Sequence, residues 1–277
     1  MRFFKLIKYD LSYGLFSNKN LIKHSILLSF ILLACFECEG RIESMNYPIY
    51  TLGDNLLYVF GGVKEHIMFQ KEPFQIPYLW LLNHILILFF TLHYASDDLS
   101  GIGQQMIYRA GGRIKWWASK CIWNFVSVFF YYLVSFSVIA VFCLLRGCDI
   151  SIVFSPFMRE VMDFGYKAFP CENCNLILEV TLMPFLVTLA LSILQMSLSL
   201  VFKPAFAFIF SSVLLISSAY YLTPYFIGNF AMAVRSDKVV SNGLNLTDGI
   251  IAAIGMIIIG IIIGVLAIRR HNILSKE

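Results

Sequence analysis

The stretch Leu176–Pro224, LILEVTLMPFLVTLALSILQMSLSLVFKPAFAFIFSSVLLISSAYYLTP, holds two apolar runs divided by Lys203-Pro204 and closed by Pro224, with Gly228-Asn229 just beyond. A helix needs about 20 mostly apolar residues to cross the hydrocarbon core of a membrane. Proline at a first helical position costs no hydrogen bond, so the division predicts two membrane helices joined as a tight hairpin. Outward from this pair, four more stretches approach the same length: Leu21–Cys38, Ile76–Ala95, Lys120–Leu145 and Gly249–Ile268. With Leu176–Phe202 and Pro204–Pro224 they make six predicted spans. Composition agrees, since the 277 residues are 59% hydrophobic and 14% charged, against about 45–50% and a quarter in soluble domains. The expected fold is an all-α polytopic membrane protein, one transmembrane domain over residues 1–277 with lipid as its solvent. This excludes a cytosolic enzyme, a secreted disulfide scaffold and a free nucleic-acid-binding domain, and no nucleic-acid partner is expected.

Some 20 residues precede the first span, which is long for a signal peptide, and no small-x-small cleavage site follows it. Leu32-Leu33-Ala34-Cys35 resembles a lipoprotein signal box, but five spans follow, so the first span is read as retained. Lysine and arginine collect on cytoplasmic loops. With the N-terminus inside, the inner segments carry 13 cations and the outer loops 8, while all but Asp10, Asp97, Asp98 and Glu277 of the acids fall outside. Inner segments then sum to +9 and outer ones to −5, which predicts both termini to be cytoplasmic.

Charge is missing where an ion-coupled carrier needs it. Apart from the boundary turns, where Lys23, Glu37, Lys120 and Glu179 fall, the spans contain no Asp, Glu, Lys or Arg. A charge at membrane depth is expensive and is kept for a task, so a self-energised transporter is disfavoured, and Glu179 reads as an interfacial carboxylate. His84 and His93 are nine residues apart, half a turn out of helical register, and read as packed histidines rather than a metal pair. Neither HExxH nor GxxxxGK[ST] is present, so no catalytic, metal or nucleotide site is expected in this chain. Leu99-Ser100-Gly101-Ile102-Gly103-Gln104-Gln105 faintly resembles the signature loop of ATP-binding-cassette ATPases, but the α/β domain such a loop serves is missing.

Two further elements are predicted on the cytoplasmic side. Within residues 1–20, Phe4, Ile7, Leu11 and Leu15 recur at helical spacing beside Arg2, Lys5 and Lys8, the pattern of a helix lying in the membrane interface with its apolar face down. The second is Ala95–Lys120, ASDDLSGIGQQMIYRAGGRIKWWASK. Ser96 or Asp97 is placed to cap a helix. Leu99, Ile102, Met106 and Ile107 give it an apolar stripe, Ala110-Gly111-Gly112 ends it, and Trp116-Trp117 re-enters the interface. A simple turn would not need so long a punctuated stretch, so residues 96–118 read as a short helix offered to something below the membrane.

An interfacial N-terminal helix, six spans with both ends inside, and an acidic-glycine-arginine-lysine loop after the second span together resemble the permease subunit of a type-2 ATP-binding-cassette exporter. Ser218–Ser236, SAYYLTPYFIGNFAMAVRS, is similar to the corresponding outer segment of small bacterial peptide- and antibiotic-exporting and immunity permeases. The resemblance implies a multi-pass plasma-membrane protein, a separate ATPase subunit that supplies ATP and Mg chemistry, and a second copy or a related permease. It carries the ATPase-coupling role onto Asp97, Asp98, Gly101, Gly103, Arg109, Gly112 and Lys120, and implies alternating access by two rocking permeases. An outer loop of about 37 residues, Glu39 to Gln75, departs from the family pattern. An antimicrobial or other amphipathic peptide is the substrate class the resemblance suggests. A non-transporting scaffold or sensor, or an ion-coupled carrier, are the alternatives.

Three details remain. The mixed aromatic and hydroxyl residues Tyr131, Tyr132, Gln195, Ser212, Tyr220 and Tyr221 are candidates to line a substrate path. Gly260-Ile-Ile-Ile-Gly264 is a GxxxG that permits close helix approach, expected within the subunit. Among seven cysteines, Cys148, Cys171 and Cys174 share an outer loop, where Cys148 is expected to pair with one of the other two or all three to stay free; zinc at the lone CxxC is the weaker reading.

Overall fold

The computed structural model describes residues 2–16, 18–45, 51–66, 74–101, 103–110, 112–153, 158, 176–240 and 242–270. All regular structure among them is helical. The elements are α1 (Arg2–Phe16), α2 (Asn18–Ser44), α3 (Leu52–Phe60), α4 (Tyr78–Thr91), α5 (Tyr94–Ser100), α6 (Gly103–Ala110) and α7 (Arg113–Arg146). They are followed by α8 (Ile177–Leu198), α9 (Pro204–Tyr220), two 3₁₀ turns (Ile227–Ala231 and Ala233–Arg235) and α10 (Leu246–Arg270).

Five helical rods are long and apolar enough to cross a membrane: α2, α4 with α5, α7, α8 and α10. The fifth predicted span, α9, has 17 residues, about 25 Å of helix. The hairpin forms at the expected place, with Pro204 opening α9 and Leu200, Val201 and Phe202 amides closing the turn onto Ser197 and Leu198 carbonyls. α2 is longer than expected, reaching Ser44 rather than Cys38.

α8 has no polar face, which suits a helix surrounded by protein or lipid rather than one facing water. It packs against α3, α4, α7, α9 and α10, and most of it is buried. α10 carries its isoleucines Ile251, Ile254, Ile258, Ile259 and Ile262 outward and lays a glycine face on the bundle. A Cβ on Gly260 would stand 3.0 Å from Ile193 Cγ2 and 3.2 Å from Leu194 N, and one on Gly264 would overlap the Trp117 ring. The GxxxG is therefore used within the subunit, as expected. The indole of Trp117 lies over Gly264 and donates to Ile261 O at 3.1 Å.

One element had no counterpart in the sequence reading. α3, inside the long Glu39–Gln75 loop, is a nine-residue helix sunk among α2, α4, α7 and α8, with eight residues buried. A capping box makes it possible to bury such a short helix: Asp54 N donates to Thr51 Oγ1 and Thr51 N donates to Asp54 Oδ2. A strap after α7 completes the cap, since Leu52 N and Gly53 N donate to Asp149 O and Ser151 O, and Thr51 Oγ1 to Val153 O.

Candidate functional site

At the end of the bundle where α1 meets the start of α7, the chain between α4 and α7 forms an elbow. It differs in one respect from the expectation. Neither Ser96 nor Asp97 caps a new helix; α5 continues almost directly from α4 through a turn at Leu92-His93, and Ser96 Oγ donates back to His93 O. The break comes later, at Gly101, whose amide closes onto Asp97 O and Asp98 O at 3.1 Å each. α6 then starts with Gly103 against the Asp98 carbonyl, where a Cβ would collide. Gly112, at φ +136°, reverses the chain into α7.

A buried ionic cluster bolts this elbow down. Lys120 Nζ lies 2.6 Å from Asp10 Oδ1 and 2.8 Å from Asp98 Oδ2. Ser119 Oγ donates to Asp10 Oδ2 at 2.5 Å, Tyr94 OH to Asp10 Oδ1 at 3.0 Å, and Trp116 Nε1 to Asp98 Oδ2 at 2.8 Å. The ammonium also sits over the Tyr94 ring, 4.7 Å from its centroid, and Tyr94 stacks on Trp123 at 3.6 Å. Three separate elements, α1, α5 and α7, are thus joined through one lysine. Burial, and then the Asp98 charge, push the nearby Tyr9 phenol above its ordinary value.

The seven proposed coupling residues consequently divide. Asp98 and Lys120 point inward and hold the elbow, and Gly101, Gly103 and Gly112 shape it. Asp97 faces out, with His93 Nδ1 3.9 Å away, and Tyr108 is 67% exposed, with Ser100 and Gln105 also outward. Arg109 lies on α6, its side chain outside what the structure describes. Asp10 was missed by sequence reasoning. Of the expected apolar face of α1, Phe4-Ile7-Leu11-Leu15, only Leu15 is buried against the bundle, together with Leu6 and Asp10, while Ile7 and Leu11 are half-buried and Phe4 is exposed. A lone carboxylate in a helix whose other charges are all basic was the available signal.

The substrate-path candidates also divide. Tyr131, Tyr132 and Gln195 are buried in the bundle. Tyr131 OH donates to Asn83, Tyr132 OH lies 2.8 Å from Thr188 Oγ1, and Gln195 Nε2 donates to Leu88 O at 2.8 Å. Asn124 Nδ2 and Thr91 Oγ1 meet on Ser192 Oγ, extending a polar but uncharged seam between α4, α7 and α8. Ser212 is half-buried on α9, Tyr220 packs on His66 and Phe74 at 5.2 Å, and Tyr221 is exposed. His84 is the packed histidine expected, its Nδ1 2.8 Å from Trp80 O, and His93 is on the surface. Glu179, in the first turn of α8, pairs with Lys238 at 2.6 Å.

At the opposite end, Arg235, counted as an outer-loop cation from the sequence, is 1% exposed. Its guanidinium donates to the carbonyls of Val63, Lys64, Ser218 and Ala219 and to Asn229 Oδ1, occupying its donor fork completely. Burial lowers its pKa to about 10, against the opposing pull of Glu65, so it stays charged at neutral pH. Of the cysteines, Cys35, Cys38, Cys121, Cys143 and Cys148 are free thiols, and Cys171 and Cys174 lie outside the described residues. Among the described residues no cluster of histidine, cysteine and carboxylate side chains could hold a metal ion.

The described residues form a helical bundle in which five helices are long and apolar enough to cross a membrane. The chain belongs to the family described as protein of unknown function (DUF2705), which it matches over residues 56–274. No curated protein matches it.

Proposed function

We propose that this chain is the permease subunit of an ATP-driven exporter of the type-2 ATP-binding-cassette kind, with a separate ATPase docking on the α5–α6 elbow. The observation that carries the reading is the elbow's mounting. A surface that presents Asp97, Ser100, Gln105 and Tyr108 is bolted through Asp98, Lys120 and Asp10 to the start of α7, a 34-residue helix that runs the depth of the bundle. A push on such a surface is transmitted to a membrane helix instead of being absorbed by a loop.

Three features support it. Among the described residues, charged side chains on the long helices keep within about two turns of an end, and the seam between α4, α7 and α8 is built of uncharged amides and hydroxyls. α9, at the short end of spanning lengths, makes a sixth crossing, and six crossings leave α1 and the end of α10 on one side. The Arg113 guanidinium donates to Arg269 O there. Their basic residues put that side in the cytoplasm of a plasma membrane. With Tyr131, Tyr132 and Gln195 held inside one bundle, the path for an amphipathic peptide runs between two copies, or between this chain and a related permease.

The test is isolation under native conditions, with ATP hydrolysis measured in the purified assembly. An ATP-binding-cassette subunit is expected to accompany the chain. Asp97→Arg and Tyr108→Asp are expected to cut permease-stimulated hydrolysis at least about tenfold, equivalent to about 1.4 kcal/mol of docking, with unchanged thermal unfolding. A chain that never carries a nucleotide-binding subunit refutes the proposal.

A further inference from the structure

The end of α7 brings two thiols together by the way the helix stops. Gly147, at φ +73°, takes the left-handed conformation, and both its amide and that of Cys148 donate to Cys143 O, the second at 3.0 Å. This is the Schellman termination, which sets the side chain just past the glycine against the one in the last helical turn. In most helices that contact is hydrophobic. Here both positions are cysteine. Cys143 is fully buried and further held by Asn55 Nδ2, 3.4 Å from its sulfur; Cys148 is half-buried and open to reagents.

We propose that Cys143 and Cys148 are a reversible dithiol–disulfide pair that staples the end of α7 to the strap capping α3. The oxidant is a disulfide, such as a thiol oxidoreductase or oxidised glutathione. The Cys148 thiolate attacks one sulfur of that disulfide and expels a thiolate, giving a mixed disulfide. The Cys143 thiolate then attacks Cys148 Sγ and expels the second thiolate. Two protein thiols lose two protons and two electrons, and the oxidant's S–S bond is reduced to two thiols. The strap begins at the next residue: Asp149 O and Ser151 O accept from Leu52 N and Gly53 N, so the staple fixes the carbonyls that close α3. Reaction from the outer compartment rests on the orientation proposed above, whereas the pairing rests on the Schellman geometry alone.

The purified full chain in detergent is treated with oxidised glutathione, digested without reduction and mapped by mass spectrometry. A Cys143–Cys148 link that dithiothreitol reverses is expected, with the Leu52 and Gly53 amides exchanging about tenfold more slowly than in the reduced protein. Seven persistent thiols, a link from Cys148 to Cys171, Cys174 or Cys35, or unchanged exchange at Leu52 and Gly53 would overturn it. Cys148→Ser, a change at a half-buried position, is expected to keep the wild-type elution profile and leave Cys143 reduced; a disulfide from Cys143 to Cys35 or Cys38 in that variant also counts against the pair. In right-side-out vesicles a membrane-impermeant disulfide is expected to form the same link. Linkage in detergent but not in those vesicles retains the pair and overturns the orientation.

Discussion

Lys120→Met is the most informative perturbation of the ionic cluster. It keeps the length of the side chain and removes the one cation that neutralises Asp10 and Asp98. Asp10 is fully buried and Asp98 nearly so, so water cannot replace the lysine. Removing one partner from a buried ion pair costs about 3–5 kcal/mol. Because Asp10 is the polar tie of α1 to α7, the loss falls first on α1. Trypsin cleavage at the exposed Lys5 and Lys8 reports that opening, and its rate tracks the open population. Cleavage is expected to accelerate at least about a hundredfold at pH 7, which corresponds to about 2.7 kcal/mol. Wild-type cleavage rates would show that the cluster does not hold α1.

Other outcomes follow from the same geometry. Gly264→Ala forces Trp117 off its seat and off Ile261 O, and is expected to cost about 1–3 kcal/mol of overpacking, read as a lower melting temperature in detergent. Gly255→Ala, with open space where its Cβ would stand, is expected to melt no lower than the wild type. Tyr132→Phe leaves Asn83 Nδ2 and Thr188 Oγ1 without their shared hydroxyl and is expected to lose about 1–3 kcal/mol in denaturant-melt comparisons. Arg235→Lys replaces a fork engaging five acceptors with a point charge that has three donors. It is expected to increase protease sensitivity in the 221–236 segment while sparing the α1 end.

What was legible in the sequence was whatever lipid and punctuation dictate. Lys203-Pro204 located the hairpin because proline restricts where a helix can start, and the glycines of α10 announced a close-packed face because small residues let helix backbones approach. The elbow was located to within a few residues, but its start was misplaced, because Ser96 and Asp97 are good caps only where a chain enters a helix, and here α4 was already delivering one. α3 was hidden by length, since nine residues cannot span and its capping box lay in a stretch read as loop. Asp10 and Arg235 were hidden for another reason. Their placement depends on a lysine 110 residues away in one case and on carbonyls that include Val63 and Lys64, 172 and 171 residues away, in the other, and a charge count treats such residues as solvated.

The capped α3 also constrains the order in which the chain can be assembled. Its walls come from helices on both sides of it in sequence, and its cap comes from residues 149–153, about a hundred residues downstream. During synthesis α3 therefore follows one of its walls, α2, but precedes α4, α7, α8 and the strap, so its burial is completed only after more than a hundred further residues have been made.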